Sequence, residues 1–200
     1  MSEEKEIEER WIQFKEETNA LDYLRRACRF IREMEDEPRC WKWVMIALHG
    51  ALYGFAVSAC QHTSTENVTN DRDYLIGFWD ALERCQDSEW MGVLTHSQHL
   101  ELTEEQEDAI RQMKSMLRNN FEHFTPKTWY IEIHGMPNIS IHVLEVIQFL
   151  AVETKTHVML RKEKKEEVNE LVNDTIQFLK STDLYKEARE MERRRKERSA

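Results

Sequence analysis

Apolar residues at Ile7, Trp11, Phe14, Leu21, Leu24, Cys28 and Ile31 fall mostly three, four or seven apart, the stripe of an amphipathic helix. That spacing predicts a first helix from Ile7 to about Met34, with the polar run KEETNA between Phe14 and Leu21 marking a kink. Pro38 suits the first turn of a second helix, which runs through CWKWVMIALHGALYGFAVSAC to about Gln61. This stretch is apolar on nearly every side, so it should be the most buried element. Gly50 and Gly54, with Ala47 and Ala51, give it a small-residue face that lets a neighbouring helix come close. His49 and the polar flanks argue against a membrane span, and no window reaches the roughly 18 uninterrupted apolar residues that one needs.

Residues 62–73 read as a polar loop, Tyr74 to Gln86 as a short helix, and Asp87 to Leu102 as an irregular connection. Thr103-Glu104-Glu105-Gln106 then has the form of a capping box, with two carboxylates facing the positive end of a helix dipole. Ile110, Met113, Met116, Leu117 and Phe121 continue the stripe until Pro126 ends it. Trp129, Ile131 and Ile133 alternate with polar partners and predict an extended segment, Gly135 and Pro137 a turn, and Ser140 to Met159 another apolar helix. Beyond Leu160, Val168, Leu171, Val172, Ile176, Phe178 and Leu179 mark one more packed helix, followed from Asp183 by a charged helical extension. The sum is an all-α, up-and-down bundle of four to five main helices, with residues 1–182 forming the bundle and 183–200 the tail.

Composition narrows the classes. Gly (5) and Pro (3) are scarce, which disfavours an all-β chain with its many turns, and six Trp with eight Phe disfavour disorder. The acidic start MSEEKEIEERW is unlike a secretory signal, so a cytoplasmic protein is expected, with Cys28, Cys40, Cys60 and Cys85 as free thiols. The net charge is −10, but residues 161–200 hold 12 Lys+Arg against 10 Asp+Glu, leaving the acidity in the body. An acidic body opposes nonspecific attraction to a phosphate backbone, so any nucleic-acid role needs a local site.

That local site has a candidate in Arg118, Asn119 and His123, near the end of the helix that starts at Glu104. An imidazole moves protons near neutral pH and a guanidinium neutralises phosphoryl charge, the two tasks of phosphodiester cleavage. Asn119 is four residues before His123 and shares its face, whereas five residues on an ideal helix turn Arg118 about 140° away. Arg118 must therefore lean round, or the last turn must tighten. Glu122 pairs with Arg118 at i,i+4. Other groupings are weaker. His96 and His99 are three apart without a third ligand, so no metal is expected. Cys60 and His62, two apart, make a nucleophile pair only on paper, and His49 reads first as a hydrogen-bonded core residue and second as a residue facing the cleft. Trp41, Trp43, Trp79 and Trp129 read first as core or interface and second as rings that stack on bases, and Arg193 to Arg198 as a solvated helix end or a contact for RNA or an acidic partner. No glycine-rich phosphate loop is present, which excludes nucleotide-hydrolase and dinucleotide-cofactor folds, and no cofactor is implied.

With 16 Arg and eight His in the chain, the spacing of Arg118 and His123 alone is unspecific. Its setting, late in a helix of an all-α chain and within LRNNFEHFTPKTWYIEIHGMPNIS, resembles the HEPN superfamily of helical-bundle proteins of prokaryotic toxin–antitoxin and defence systems. The hallmark there is Arg, four to six residues, then His, often with a polar residue directly after the Arg. The resemblance covers about residues 7–160 and is strongest at 104–150. It implies a metal-independent endoribonuclease, a homodimer whose two motifs line one cleft, with RNA as substrate and an antitoxin protein as a further partner. His123 would act as general acid/base, Arg118 would stabilise the transition state, and Asn119 would orient His123 or contact phosphate. The chain has Thr125 where members controlled by nucleotidyl transfer carry Tyr, which puts that regulation in doubt. Some members bind without cutting, so a non-catalytic helical interaction module stands as the alternative.

Overall fold

The structure, a computed structural model, describes residues 11–12, 15–62, 64–69, 72, 74–93, 97–122, 128–154 and 161–199. It is an all-α helical bundle. Its elements are α1 (Glu16–Glu33), α2 (Cys40–Gln61), a short 3-10 turn (Thr65–Val68), α3 (Phe78–Gln86) and α4 (Ser88–Met91). Then follow α5 (Glu104–Arg111), a π-helical stretch (Gln112–Arg118), α6 (Asn119–Glu122), α7 (Met136–Val152), α8 (Lys162–Ser181) and α9 (Asp183–Ser199).

α2 is the axis of the bundle. It packs against α1, α3, α7 and the π stretch, while α7 reaches α5 and α8, and α8 closes back on α1. By length and composition α2 is capable of crossing a membrane, but 67% of its most apolar window is buried inside the protein, as befits a core helix. The small-residue face works as its spacing suggests. A Cβ on Gly50 would stand 2.6 Å from Tyr23 Cδ1, and one on Gly54 2.7 Å from Ala20 Cβ, so α1 rests almost on the backbone of α2.

Where the sequence reading and the structure part, local chemistry explains it. The KEETNA run is the start of α1 rather than a kink: the Lys15 N–H donates to Thr18 Oγ1 (3.0 Å) and the Thr18 hydroxyl donates back to the Lys15 carbonyl (2.9 Å). Of the expected helix from Ile7, residues 7–10 and 13–14 lie outside the described residues, while Trp11 and Ile12 are not helical and stand exposed, so the helix starts at Glu16 rather than Ile7. The Thr103 box forms as read, with Gln106 N–H donating to Thr103 Oγ1 and the Thr103 N–H to Gln106 Oε1. Ser88–Met91 adds a helical turn inside the expected irregular connection, because Asp87 Oδ1 caps it by accepting from Glu89 and Trp90 N–H. The segment from Trp129 to Ile133 alternates as predicted, Ile131 and Ile133 packing on the core while Tyr130 faces solvent. It pairs with no strand among the described residues; the bridge that they do contain joins Thr69 to Leu75. α7 begins at Met136 rather than near Ser140, since Pro137 sits in its first turn, and it ends at Val152, short of the expected Met159, which itself lies outside the described residues.

α8 and α9 are separated by one extended residue, Thr182 (ψ 149°), whose hydroxyl donates to the Leu179 carbonyl and accepts from Tyr185 N–H. α9 is laced by its own ion pairs, Arg189–Glu192, Arg193–Glu190, Arg194–Glu190 and Lys196–Glu192. Hydrogen bonds from Arg193 and Arg194 pull the Glu190 carboxyl down to about 2. Much of the tail's basic charge is thus spent along the helix itself.

The tight α1–α2 approach gives a direct test. Gly54→Val should cost about 1–3 kcal/mol by overpacking against Ala20, read as a lower urea midpoint with an unchanged slope. Parental stability would show that the helices do not meet there.

Candidate functional site

The helix that carries the motif is not a uniform α-helix. From Gln112 to Arg118 it runs as a π-helix, closing with Asn119 N–H bonded to the Lys114 carbonyl. Each turn of a π-helix holds more residues, so the chain rotates less per residue and the faces of the helix shift. π segments are rare, and they gather at functional sites. Here the stretch packs on α2, with Ile110 before it and Met113 within it fully buried, and it ends at Arg118 on a cavity wall shared with α2. The tightened last turn offered as one expectation is not what the described residues show: the helix widens before Arg118, and Asn119–Glu122 after it is α-helical.

Arg118 is well seated. Its side chain is 28% exposed, Nη2 lies 2.6 Å from Glu122 Oε2, and Nη1 donates to Asn119 Oδ1 at 3.1 Å. Its Nε is buried with no hydrogen-bond partner among the described residues. His123 follows Glu122 in the chain and, with residues 124–127, lies outside the described residues. The structure therefore positions two of the three motif residues, Arg118 and Asn119, in contact with each other.

What the motif alone does not reveal is the company Arg118 keeps. It and Glu122 line a cavity of about 350 Å³ whose other walls include Asn19 and Tyr23 from α1, and His49 and Tyr53 from α2. His49 is 9% exposed and stacks on Phe78 with ring centroids 4.7 Å apart. Its Nε2 is buried with no partner among the described residues, so the expectation of a hydrogen-bonded core histidine is not met. Burial, and then the charges of Arg118 and Lys114, hold its midpoint down to about 4, so it is neutral at physiological pH. Lys114 reaches over Phe78 and Trp79 at 5.3 and 5.1 Å, and burial followed by repulsion from Arg118 lowers its midpoint. Two cations, a neutral imidazole and aromatic rings thus meet where α2, α3 and the π stretch converge. The hint of this in the sequence was the second reading of His49, as a residue facing the cleft, beside Gly50 on the most apolar helix.

The remaining candidates separate. His99 Nε2 lies 3.1 Å from Glu101 Oε1, and His96 lies outside the described residues. Among the described residues no three His, Cys, Asp or Glu side chains cluster as metal ligands do. Cys60 is fully buried, its Sγ 3.2 Å from the Ala81 carbonyl and 3.3 Å from Cys85 Sγ, while His62 packs near Trp90 at the end of α2. All four thiols are free and buried. Trp41 is in the core; Trp43, Trp79 and Trp129 are partly exposed, Trp129 against Phe121. A larger cavity, about 560 Å³, lies between Ile131–Gly135 and α9, where His134 bridges Glu132 and Glu187.

No family model, curated protein or solved structure matches the chain. The site is accordingly read from its own chemistry and from the motif.

The buried imidazole makes stability depend on pH in a defined direction. Above the ordinary midpoint of 6.5 His49 is neutral in both states; between 6.5 and about 4 only the unfolded chain binds the proton. Stability is therefore lost as pH falls through that window, by about 2–3 kcal/mol from this residue. Urea unfolding at pH 7 and pH 4.5 should show a drop that is smaller by that amount in His49→Gln. Equal drops in both proteins would place His49 in water.

Proposed function

We propose that the chain is a metal-independent endoribonuclease of a bacterial toxin–antitoxin or defence system, a cytoplasmic HEPN-type homodimer with an antitoxin protein as its partner. The observation that carries the reading is the seating of Arg118: a largely buried guanidinium, fixed by Glu122 and Asn119 at the edge of a cavity, five residues before His123. Nη1 and Nη2 each spend one N–H, on Asn119 and Glu122, and each carries a second, so a hydrogen bond to a phosphoryl oxygen breaks neither contact. Asn119 offers its oxygen to Arg118, which leaves its amide nitrogen for phosphate.

In this account His123 takes the proton of a ribose 2′-hydroxyl as that oxygen attacks phosphorus, and a proton returns to the departing 5′-oxygen. The products are a 2′,3′-cyclic phosphate and a 5′-hydroxyl. Arg118 meets the charge that grows on the phosphoryl oxygens. A preorganised cation of this kind and a general acid/base are each worth about 10²-fold or more in rate. The second reading, a non-catalytic interaction module that binds a protein or RNA partner, draws on the Glu122 carboxylate, which already neutralises Arg118, and on the acidic body.

The test is cleavage of a labelled total-RNA pool in excess EDTA. The parent should cut, and His123→Ala and Arg118→Ala should each be slower by at least about 100-fold. A His123→Ala protein that cuts as fast as the parent would refute the catalytic assignment; a parent that cuts nothing would favour the module.

A further inference from the structure

The cavity beside Arg118 has more structure than a guanidinium seat requires. Its volume, about 350 Å³, lies in the range of small-molecule sites, and its walls are of two kinds. Tyr23 and Tyr53 supply aromatic surface, and Asn19, His49, Arg118 and Glu122 supply polar groups. We propose that this cavity is a nucleotide pocket, taking one ribonucleotide unit of single-stranded RNA with its phosphate on Arg118 and its base against the tyrosine walls. The phosphate end rests on the reading of Arg118 given above; the base end does not.

Three features favour a nucleotide over a bare anion. First, one guanidinium lines the cavity, already offset by Glu122, whereas a site built for a free phosphate gathers several cations. A ligand held here needs a second source of affinity, and stacking on aromatic rings supplies it for single-stranded bases. Second, Tyr23 is placed on purpose-built ground. Its ring lies where any Cβ at Gly50 would collide, at 2.6–2.9 Å, and it stays 39% exposed, with surface to offer. Third, His49 Nε2 is buried without a partner among the described residues, and a buried polar group in that state is costly unless something in its site completes it. Nε2 is closed to solvent while His49 lines the cavity, so a small turn of the ring on binding would bring it to a ribose hydroxyl or phosphoryl oxygen. The hydroxyl of Tyr53 donates to the Ile76 carbonyl, which fixes the second wall.

The experiment titrates the full chain with adenosine 3′-monophosphate, uridine 3′-monophosphate and inorganic phosphate, following binding by calorimetry and the histidine rings by NMR. At least one nucleotide should bind at least tenfold more tightly than inorganic phosphate. Tyr23→Ala should weaken that nucleotide at least tenfold and leave inorganic phosphate within twofold. His49→Gln should weaken it at least tenfold, and in the parent the His49 midpoint should rise on binding, because an adjacent anion favours the imidazolium. His49 is buried, so its variant counts only with cooperative unfolding like the parent's; Tyr23→Ala, at a part-exposed ring, carries the test otherwise. Nucleotides that bind no better than phosphate, or a Tyr23→Ala protein of unchanged affinity, would overturn the pocket. The RNA assay on the same proteins separates the two claims. Binding that obeys these variants without cleavage keeps the pocket and removes the nuclease, and cleavage with failed nucleotide binding does the reverse.

Discussion

A helix that is apolar all the way round has no face to give to water, and α2 is such a helix. Fifteen of its 22 residues are buried, from Cys40 to Cys60, so it must be covered over most of its circumference. The inner elements of the fold are those that cover it, α1 on the glycine face with α7, α3 and the π stretch on others, and α5 and α8 pack outside them. The energetic drive is the removal of that apolar surface from water. The geometry is set by side-chain size, because Gly50 and Gly54 let α1 approach to where a single extra carbon would collide.

The same constraint builds the site. A polar residue on such a helix is carried inside with its neighbours, and His49 is therefore buried among Phe78, Tyr53 and the cations of the π stretch rather than solvated. Arg118 arrives from the opposite direction. It ends a segment of widened turns on the cavity wall, where Glu122 offsets part of its charge. Neither group reads as unusual in isolation. Together they give a small, partly aromatic cavity with one cation, one neutral base and unspent hydrogen-bonding capacity, which is suited to a ligand that is part phosphate and part ring.

Much of the fold is written locally and is legible for that reason. The apolar circumference of α2, the reciprocal Thr103–Gln106 bonds and the switch in composition before α8 depend on residues within a few positions of one another. The start of α1 was harder to see, because Thr18 caps through Lys15, a residue with no capping reputation of its own. The segment from Trp129 to Ile133 has the alternation of a strand but packs on helices, since no second strand is at hand among the described residues. The π stretch was not legible at all: Ile110, Met113, Leu117 and Phe121 fit an α stripe, and a wider turn is chosen by tertiary contact rather than by that pattern. For the site, the sequence supplies Arg118, Asn119 and their reach to Glu122. The meeting of Arg118 with His49, 69 positions away in the chain, is a product of packing.

The site depends on that meeting. Its most direct measurement is an NMR titration of the His49 ring in the parent, in Arg118→Met and in Arg111→Met, whose guanidinium is exposed on the preceding turns. The parent should titrate at about 4, far below the ordinary 6.5. Arg118→Met should raise that midpoint, because a neighbouring positive charge is removed and Glu122 is left unpaired, while Arg111→Met should leave it in place. A parent midpoint near 6.5, or one indifferent to Arg118, would mean that the two residues do not share a site.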